Sequence, residues 1–275
     1  GEEATSERAA RELEESGIEV VRLADHCVVG MLQGGREGRR LAIRADMDAL
    51  PISEPEGYPF RSRHGGFMHA CGHDAHTAIL LGAAKSLMAL RGSFRGGVKL
   101  LFQPAEETDG GAQPMIGHGC MEDPHVDAVY GLHVMPYLPA GAVETRPGAL
   151  NAASNAIYIT VHGRSGHGAY PDTARDAILC AAQIVVAMQA LVSRNVSPLD
   201  SAVVSFGVFE GGKTGNVICG EARLEGTLRA VSPELRSFLE DRVRAVAEGV
   251  AGAMDCRAEV KIRRGYGALI NHPAH

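Results

Sequence analysis

The sequence predicts an α/β protein in two parts: a mostly parallel sheet with its helices, followed by a smaller α+β unit. Over residues 1–153, apolar strand patterns alternate with helical patterns, which is typical of parallel α/β sheets. Over residues 154–268, the patterns follow the order β-α-β-β-α-β, which is typical of a self-contained ferredoxin-like sandwich. We interpret residues 269–275 as the start of a return to the first part.

The composition is that of a globular chain, and it argues against several classes of partner. The 275 residues are enough for one large domain or two ordinary ones. A net charge of -6 without a Lys/Arg cluster argues against a nucleic-acid surface. No apolar run reaches membrane-spanning length, and no signal peptide opens the chain. Six cysteines without a CxxC pair favour a reducing compartment, so we expect a cytoplasmic protein.

The elements of the first domain follow from apolar periodicity. A helix is predicted over residues 4–16, where Ala9, Ala10 and Leu13 recur among charges before Gly17. A second helix is predicted to begin near Asp74, whose side chain can cap free backbone N–H groups. The predicted strands cover residues 18–23, 41–45, 98–102 and 128–134.

Acidic residues follow two of these strands directly. Asp46 and Asp48 come after the second strand, and Glu106 and Glu107 come after the third. Open α/β sheets carry their sites at the carboxyl ends of strands, so these acids are candidates for chemistry. A solvated loop is the alternative for Asp46. His133 falls inside the fourth predicted strand, where by itself it would be a buried core residue.

Residues 68–77 (MHACGHDAHT) concentrate the residue types that bind borderline metals. Cys71 and His73 are two positions apart and would point about 200° from each other on a regular helix, so they converge only in a turn. A thiol nucleophile, Cys71, activated by a neighbouring histidine is the competing interpretation. His69 and His76, each taken alone, are interpreted as surface or satisfied core residues.

The second domain shows the same kind of periodicity. Its second helix carries an apolar face, as a helix that covers a sheet should. The predicted elements are a strand at 156–162, a helix at 176–194, strands at 202–210 and 221–230, a helix at 233–254 and a strand at 257–264.

Five ordered blocks resemble the M20 metallopeptidase family, in its amidohydrolase branch of hippurate hydrolases, N-acyl-amino-acid deacetylases and auxin-conjugate hydrolases. The blocks are RADMDALP at 44–51, MHACGHDAHT at 68–77, FQPAEE at 102–107, GLHV at 131–134 and GRSGHG at 163–168. The resemblance extends along nearly the whole chain, and five blocks in order are far more specific than any one of them.

The resemblance implies a set of site residues in the first domain. Those that match ligands of two divalent metal ions are Cys71, His73, Glu107 and His133. Glu106 matches the general base, and Asp48 matches an aspartate that fixes the orientation of a ligating imidazole. Mn²⁺, Zn²⁺ or Ni²⁺ would suit these ligands, whose types do not choose among the three ions.

The resemblance also implies roles for the second domain. His167 matches a histidine that reaches into the active site of a dimer partner, which makes 154–268 an inserted dimerisation domain and the protein a homodimer. Asn216 and Arg229 match residues that hold the free carboxylate of the substrate. Cys219 stands where relatives usually have proline, a change within a turn.

The implied function is metal-dependent hydrolysis of the amide bond in N-acyl or N-aroyl amino acids. Relatives continue further and supply a last histidine ligand, so the catalytic domain at 1–153 is expected to lack its C-terminal part, and whether this chain turns over substrate by itself is a separate question. Two alternatives stay open at this point. One is a non-catalytic dimerising module that binds small acids, and the other is a hydrolase that depends on Cys71.

Overall fold

The computed structural model describes residues 2–108 and 110–273, and it groups the chain into two compact units. The first unit covers residues 1–142 and the second covers residues 143–275. Of the final segment predicted at 269–275, residues 274 and 275 lie outside the described residues.

The first unit combines helices with one five-stranded sheet. Its elements are α1 (Glu3–Glu15), β1 (Glu19–Arg22), β2 (Val28–Gln33), β3 (Arg36–Asp46), α2 (His73–Ala89), β4 (Arg95–Gln103), α3 (Ala112–Gly117) and β5 (Ala128–Gly131). Both long helices lie where the sequence predicts them. The strand β2 was not predicted.

The sheet of the first unit is mixed, so the prediction of a mostly parallel sheet is wrong. Its strand order is β1-β2-β4-β3-β5. The strand β3 pairs parallel with β4 and with β5, whereas β2 pairs antiparallel with both β1 and β4. For the pair β1 and β2 the physical reason is their tight connection, in which Asp25 and His26 adopt positive φ angles of 58° and 66°. A short hairpin connection can only join antiparallel strands.

The edge strand β5 is shorter than predicted. It pairs with β3 from Ala128 to Gly131 and ends there, although the apolar pattern continues to Val134. His133 is therefore exposed on a loop beyond the strand, and the prediction that it lies buried inside a strand is wrong. An edge strand has one neighbour, so an apolar pattern alone does not determine where its pairing stops.

The sheet positions polar residues at the carboxyl ends of its parallel strands. Asp46 at the end of β3 is in register with Gln103 at the end of β4, and Arg44 is in register with Gly131 at the end of β5. On one face, side chains of β4 such as Phe102 pack against α1 and α2 in a single core. Burial of this face holds the start of α2 against the strand ends.

The second unit confirms the predicted β-α-β-β-α-β order. The elements of this unit are β6 (Gly148–Asn151), β7 (Ala153–His162), β8 (Gly166–His167), α4 (Ala177–Asn195), β9 (Ala202–Gly211), β10 (Val217–Ile218), β11 (Glu221–Ala230), α5 (Pro233–Ala253), β12 (Arg257–Arg264) and β13 (Leu269–Asn271). The main sheet has the order β12-β7-β11-β9 with antiparallel pairs throughout, and α4 and α5 pack against it.

Helix α4 is long and apolar enough, by length and composition, to cross a membrane. The prediction that no apolar run reaches this length is therefore wrong. In the structure, Cys180, Ile184 and Met188 of α4 are fully buried in a core shared with β7, β9 and β11. The apolar composition of this face is that of a helix covering a sheet.

Candidate metal centre

The candidate centre lies in the first unit, where the strand ends of β3, β4 and β5 meet the first turn of α2. The Sγ atom of Cys71 lies 3.3 Å from Nε2 of His133. Ligand atoms of Cys71, His73 and His133 all lie within 4.8 Å of one another, and so do those of His73, Glu106 and Glu107. His73 belongs to both groups, so the four predicted ligands and Glu106 form one continuous cluster.

A left-handed glycine explains how Cys71 and His73 converge. Gly72 precedes the first residue of α2 with φ +83°, which turns the chain between the two side chains. A β-carbon at this position would lie 2.4 Å from Cγ2 of Val134, so only glycine fits. The N-cap of α2 is therefore Gly72. Asp74, proposed as a cap, accepts a hydrogen bond from the backbone N–H of Ala75 at 2.9 Å.

Asp48 holds two parts of the cluster at once. Its Oδ1 lies 3.1 Å from Nδ1 of His73, and its Oδ2 accepts the backbone N–H of Glu107 at 2.9 Å. Burial acts to raise the pKa of Asp48, but the hydrogen bonds from His73 and Glu107 outweigh burial and lower it to about 2. Burial likewise acts to lower the pKa of His73, but Asp48 and Asp46 raise it on balance.

The other ring nitrogen of His73 is available to a ligand. Its Nε2 is buried and has no hydrogen-bond partner within the described part of the chain. Buried polar atoms in proteins are nearly always paired, so an unpaired imidazole nitrogen facing a thiol and carboxylates indicates a cation site. The residues present therefore fit the pair of metal ions that the resemblance implies.

The two glutamates lie in an irregular turn after β4. Ala105 has a φ of +52°, and its carbonyl accepts the backbone N–H of Gly110 at 2.8 Å. Glu106 is half-buried, whereas Glu107 is exposed. Burial, and then the charge of Glu107, raise the pKa of Glu106. A raised pKa brings a carboxylate closer to the range in which it exchanges protons at neutral pH.

The thiol of Cys71 is surrounded by acids. Burial raises the pKa of Cys71 to about 11, and a hydrogen bond to Glu107 and the charge of that residue add to the effect. Free thiolate, the nucleophilic form, is scarce at neutral pH under these conditions. The thiolate is needed for either role, so Cys71 would require a nearby positive charge, such as a metal ion, to ionise at neutral pH.

The sequence did not identify Asp46 and His76 as partners. Both are buried, and Nδ1 of His76 lies 2.6 Å from Oδ1 of Asp46. The solvated-loop alternative for Asp46 is therefore wrong, whereas His76 is a satisfied buried residue. Burial lowers the pKa of His76. The sequence signal that could have placed His76 near the site is its spacing from His73, because residues three apart lie on one face of a helix.

In the second unit, the structure brings His167 and Asn216 together. The strands β8 and β10 pair so that Val217 is opposite His167, and the N–H of Gly168 donates to the carbonyl of Asn216 at 2.8 Å. Nδ1 of His167 accepts the N–H of Ala169 at 3.1 Å, so the neutral ring carries its proton on Nε2. His167 is exposed and presents that N–H donor.

Arg229 lies away from this pair within the same unit. The loop that holds Asn216 leads into β11 at Glu221, and Glu221 is paired with the end of β7 that precedes β8. Arg229 is eight residues further along β11 (229 minus 221), which is about 26 Å at about 3.3 Å per residue. Its Nη1 donates to Oγ1 of Thr227 at 2.5 Å.

Comparisons with known proteins agree with these motifs. The profile of peptidase family M20/M25/M40 matches residues 42–275. N-acetyl-L-cysteine deacetylase of Bacillus subtilis (strain 168) is 43% identical over 263 residues, which are 95% of this chain and 63% of that protein. N-acetyldiaminopimelate deacetylase of Shouchella clausii is 41% identical over 239 residues, or 87% of this chain and 63% of that protein. The chain thus spans less than two thirds of the length of these two relatives.

A solved structure shows the same fold. The YXEP protein of Bacillus subtilis, described as a dinuclear metal binding peptidase from the M20 family, superposes with a TM-score of 0.85 and 35% identity. The match covers 99% of this chain and 70% of that one.

Proposed function

The chain belongs to peptidase family M20/M25/M40, and we propose that it holds two divalent metal ions and hydrolyses the amide bond of N-acyl or N-aroyl amino acids. The observation that carries this proposal is the unpaired, buried Nε2 of His73 within one cluster of thiol, imidazole and carboxylate groups. Two relatives are named as deacetylases of N-acetylated amino acids, which supports the substrate class.

The metal ligands in this proposal are Cys71, His73, Glu107 and His133. Mn²⁺, Zn²⁺ and Ni²⁺ all suit such a mixed set of donors. When bound, the two ions would lower the pKa of a water molecule and polarise the amide carbonyl. Asp48 keeps Nδ1 of His73 engaged, so that Nε2 faces the cluster.

Glu106 is the proposed general base. It takes the proton from the attacking water and delivers it to the leaving nitrogen, which is a transfer that a half-buried carboxylate beside the ligands can make in both directions. Glu106 and Glu107 differ in burial, so one glutamate can bind metal while the other moves a proton.

Three residues of the second unit are proposed to act on the substrate from two copies of the chain. His167 donates from Nε2 to the oxyanion, while Asn216 and Arg229 hold the free carboxylate. About 26 Å separates the Asn216 end of β11 from Arg229, which is more than a small acyl amino acid can span. The separation supports a site in which His167 and Asn216 come from one copy and Arg229 from the other.

The surface of the second unit supports a homodimer formed through residues 154–268. Helix α4 exposes Leu179 and Val186, at 50% and 67% of their surface, and the edge strand β9, against which it packs, exposes Val203 and Phe209. An exposed edge strand beside an apolar helix face is a surface that a second copy can cover.

A chelator experiment tests the proposal against both alternatives. We expect the protein, assayed at the full length of its relatives, to release acetate from N-acetyl amino acids, to lose this activity after treatment with a chelator, and to regain it with Mn²⁺ or Zn²⁺. A hydrolase that depends on Cys71 alone would keep its activity in chelator. A non-catalytic module would bind the acyl amino acid in calorimetry and release no acetate under any metal condition.

A further inference from the structure

A chain of hydrogen bonds runs behind the candidate centre and ends on the ring of His133. Asp46 Oδ1 lies 2.6 Å from Nδ1 of His76, and the backbone N–H of Val134 donates to Nε2 of His76 at 2.9 Å. The carbonyl of Val134 lies 2.7 Å from Nδ1 of His133. The backbone N–H and the backbone C=O of Val134, in the loop after β5, therefore each bond to an imidazole ring.

The backbone partners determine where the protons are. The N–H of Val134 can only donate, so Nε2 of His76 accepts and carries no proton, and the His76 proton lies on Nδ1, where it is donated to Asp46. The carbonyl of Val134 can only accept, so Nδ1 of His133 carries the proton. The lone pair of His133 Nε2 is then directed to the cluster, 3.3 Å from Sγ of Cys71.

Asp46, where this hydrogen-bond chain begins, is itself held by hydrogen bonds to the sheet and to α2. Arg44 donates from Nη1 to Oδ2 of Asp46 at 2.7 Å and from Nε to Oε1 of Gln103 at 2.8 Å. Thr77 donates to the backbone carbonyl of Asp46 at 3.0 Å. Asp46 is therefore connected to β3, β4 and α2 at once, and it is buried.

The same residues could be taken for another metal site. Ligand atoms of Asp46, His73 and His76 lie within 4.8 Å of one another. Both ring nitrogens of His76, however, already have partners, and ligation through either would break one of these bonds. His73 differs, since its Nε2 is unpaired within the described residues. The geometry of His76 is therefore that of a residue that holds a neighbouring group in place by hydrogen bonds, and not that of a metal ligand.

We propose that His76 is a positioning residue that, through Val134, sets the ring orientation of His133 and directs its Nε2 to the metal position. His133 needs such a support because it is exposed and lies beyond the last paired residue of the edge strand β5. The side chain of Val134 occupies the space that a β-carbon at Gly72 would need, so Gly72 leaves room for Val134 at this position. This inference rests on the proposed role of His133 as a metal ligand.

The test compares His76→Phe, His76→Gln and His133→Ala with the unaltered protein, and uses Ile79→Ala, at an exposed position of the same helix, as a control. Phenylalanine fills the ring volume and cannot accept the Val134 N–H, whereas a glutamine amide oxygen can. The first readout is the Zn²⁺ affinity of chelator-treated protein. The second, on metal-free protein, is the ¹⁵N chemical shift of the His76 ring together with hydrogen exchange of the Val134 amide.

We expect His76→Phe to weaken Zn²⁺ binding by about 10- to 100-fold, as loss of an orienting partner does. His76→Gln should restore part of this loss, and Ile79→Ala should bind Zn²⁺ about as tightly as the unaltered protein. The metal-free protein should show His76 protonated at Nδ1 and a Val134 amide protected from exchange, with the protection lost in His76→Phe.

The outcomes separate this inference from the proposed function. If His133→Ala binds Zn²⁺ as tightly as the unaltered protein, the ligand assignment fails and the inference fails with it. If His133→Ala weakens binding and His76→Phe does not, only the inference is overturned. If His76→Phe does not fold, as judged by circular dichroism, His76→Gln and the metal-free spectra still decide, because a ring protonated at Nε2 contradicts the hydrogen-bond chain.

Discussion

The carboxylate of Asp48 contacts His73 with one oxygen and the backbone of Glu107 with the other, at 3.1 Å and 2.9 Å. A single buried side chain thus fixes the first residue of α2 relative to the turn after β4. Asp48 thus orients the ring of His73 and positions the backbone of Glu107. An outer partner of this kind fixes the orientation of a ligating imidazole, so the geometry of the site depends on it.

Asp48→Asn should lower stability in a pH-dependent way. The folded-state pKa is about 2, below the ordinary 3.8, so the stabilisation is present above pH 4 and is lost as the pH falls through about 2. The shift corresponds to about 2 kcal/mol. Urea unfolding of metal-free protein should show this gap at pH 6 and a much smaller gap near pH 2. The exposed Asp74→Asn is the control, and a gap that does not change with pH would contradict the prediction.

Glu106→Gln and Glu107→Gln should have different consequences. The first should keep its metal ions and lose about 10²- to 10⁴-fold in turnover, the usual contribution of a general acid–base residue. The second should lose metal as well, because its carboxylate is a proposed ligand. Elemental analysis and steady-state kinetics on the same preparations separate the two effects. If both variants keep metal and differ little in rate, the assigned roles are wrong.

Cys71→Ala should lower the metal content of the protein. Its Sγ lies within 4.8 Å of the ligand atoms of His73 and His133, and removal of the thiol leaves two imidazoles from that group. Cys219→Ala is the matched control, since Cys219 is partly exposed in the second unit. Elemental analysis after dialysis measures the difference. An unchanged metal count in Cys71→Ala would refute the assignment.

Arg229→Lys should weaken recognition of the substrate carboxylate. Arginine can bind a carboxylate through two parallel N–H groups, and lysine cannot reproduce this geometry. We expect KM for an N-acetyl amino acid to rise by about 10- to 100-fold, the range for a lost charge-assisted pair. Arg223→Lys, six residues earlier on the same strand face and paired with Glu221, is the control. Equal efficiency of the unaltered protein on an acyl amino acid and its amide would contradict the role.

His167→Ala should lose about 10²- to 10³-fold in turnover, as expected for removal of an oxyanion donor. Complementation tests whether His167 acts on a partner copy. In a mixed dimer of His167→Ala with Glu106→Gln, one of the two sites combines an intact Glu106 with an intact His167. An equal mixture that has exchanged subunits should recover about a quarter of the original activity. No recovery after confirmed exchange would place His167 at its own copy's site.

The sequence by itself determined most of the helices and strands and the chemical types of the candidate metal ligands. Apolar periodicity located both long helices of the first unit and the β-α-β-β-α-β order of the second to within a few residues. It did so because side-chain period reports which face of an element is buried. The cluster at 68–77 indicated a metal site because thiol and imidazole groups at that spacing are rare without one.

Only the tertiary structure decided which elements are neighbours. The strand β2 is antiparallel to β4, His133 is exposed beyond β5, and His76 meets Asp46 across thirty residues of chain. The structure likewise joins His167 to Asn216 and leaves Arg229 at the other end of β11. The physical reason is that strand pairing and buried hydrogen bonds join residues distant in sequence, and local periodicity carries no information about which distant partner is chosen.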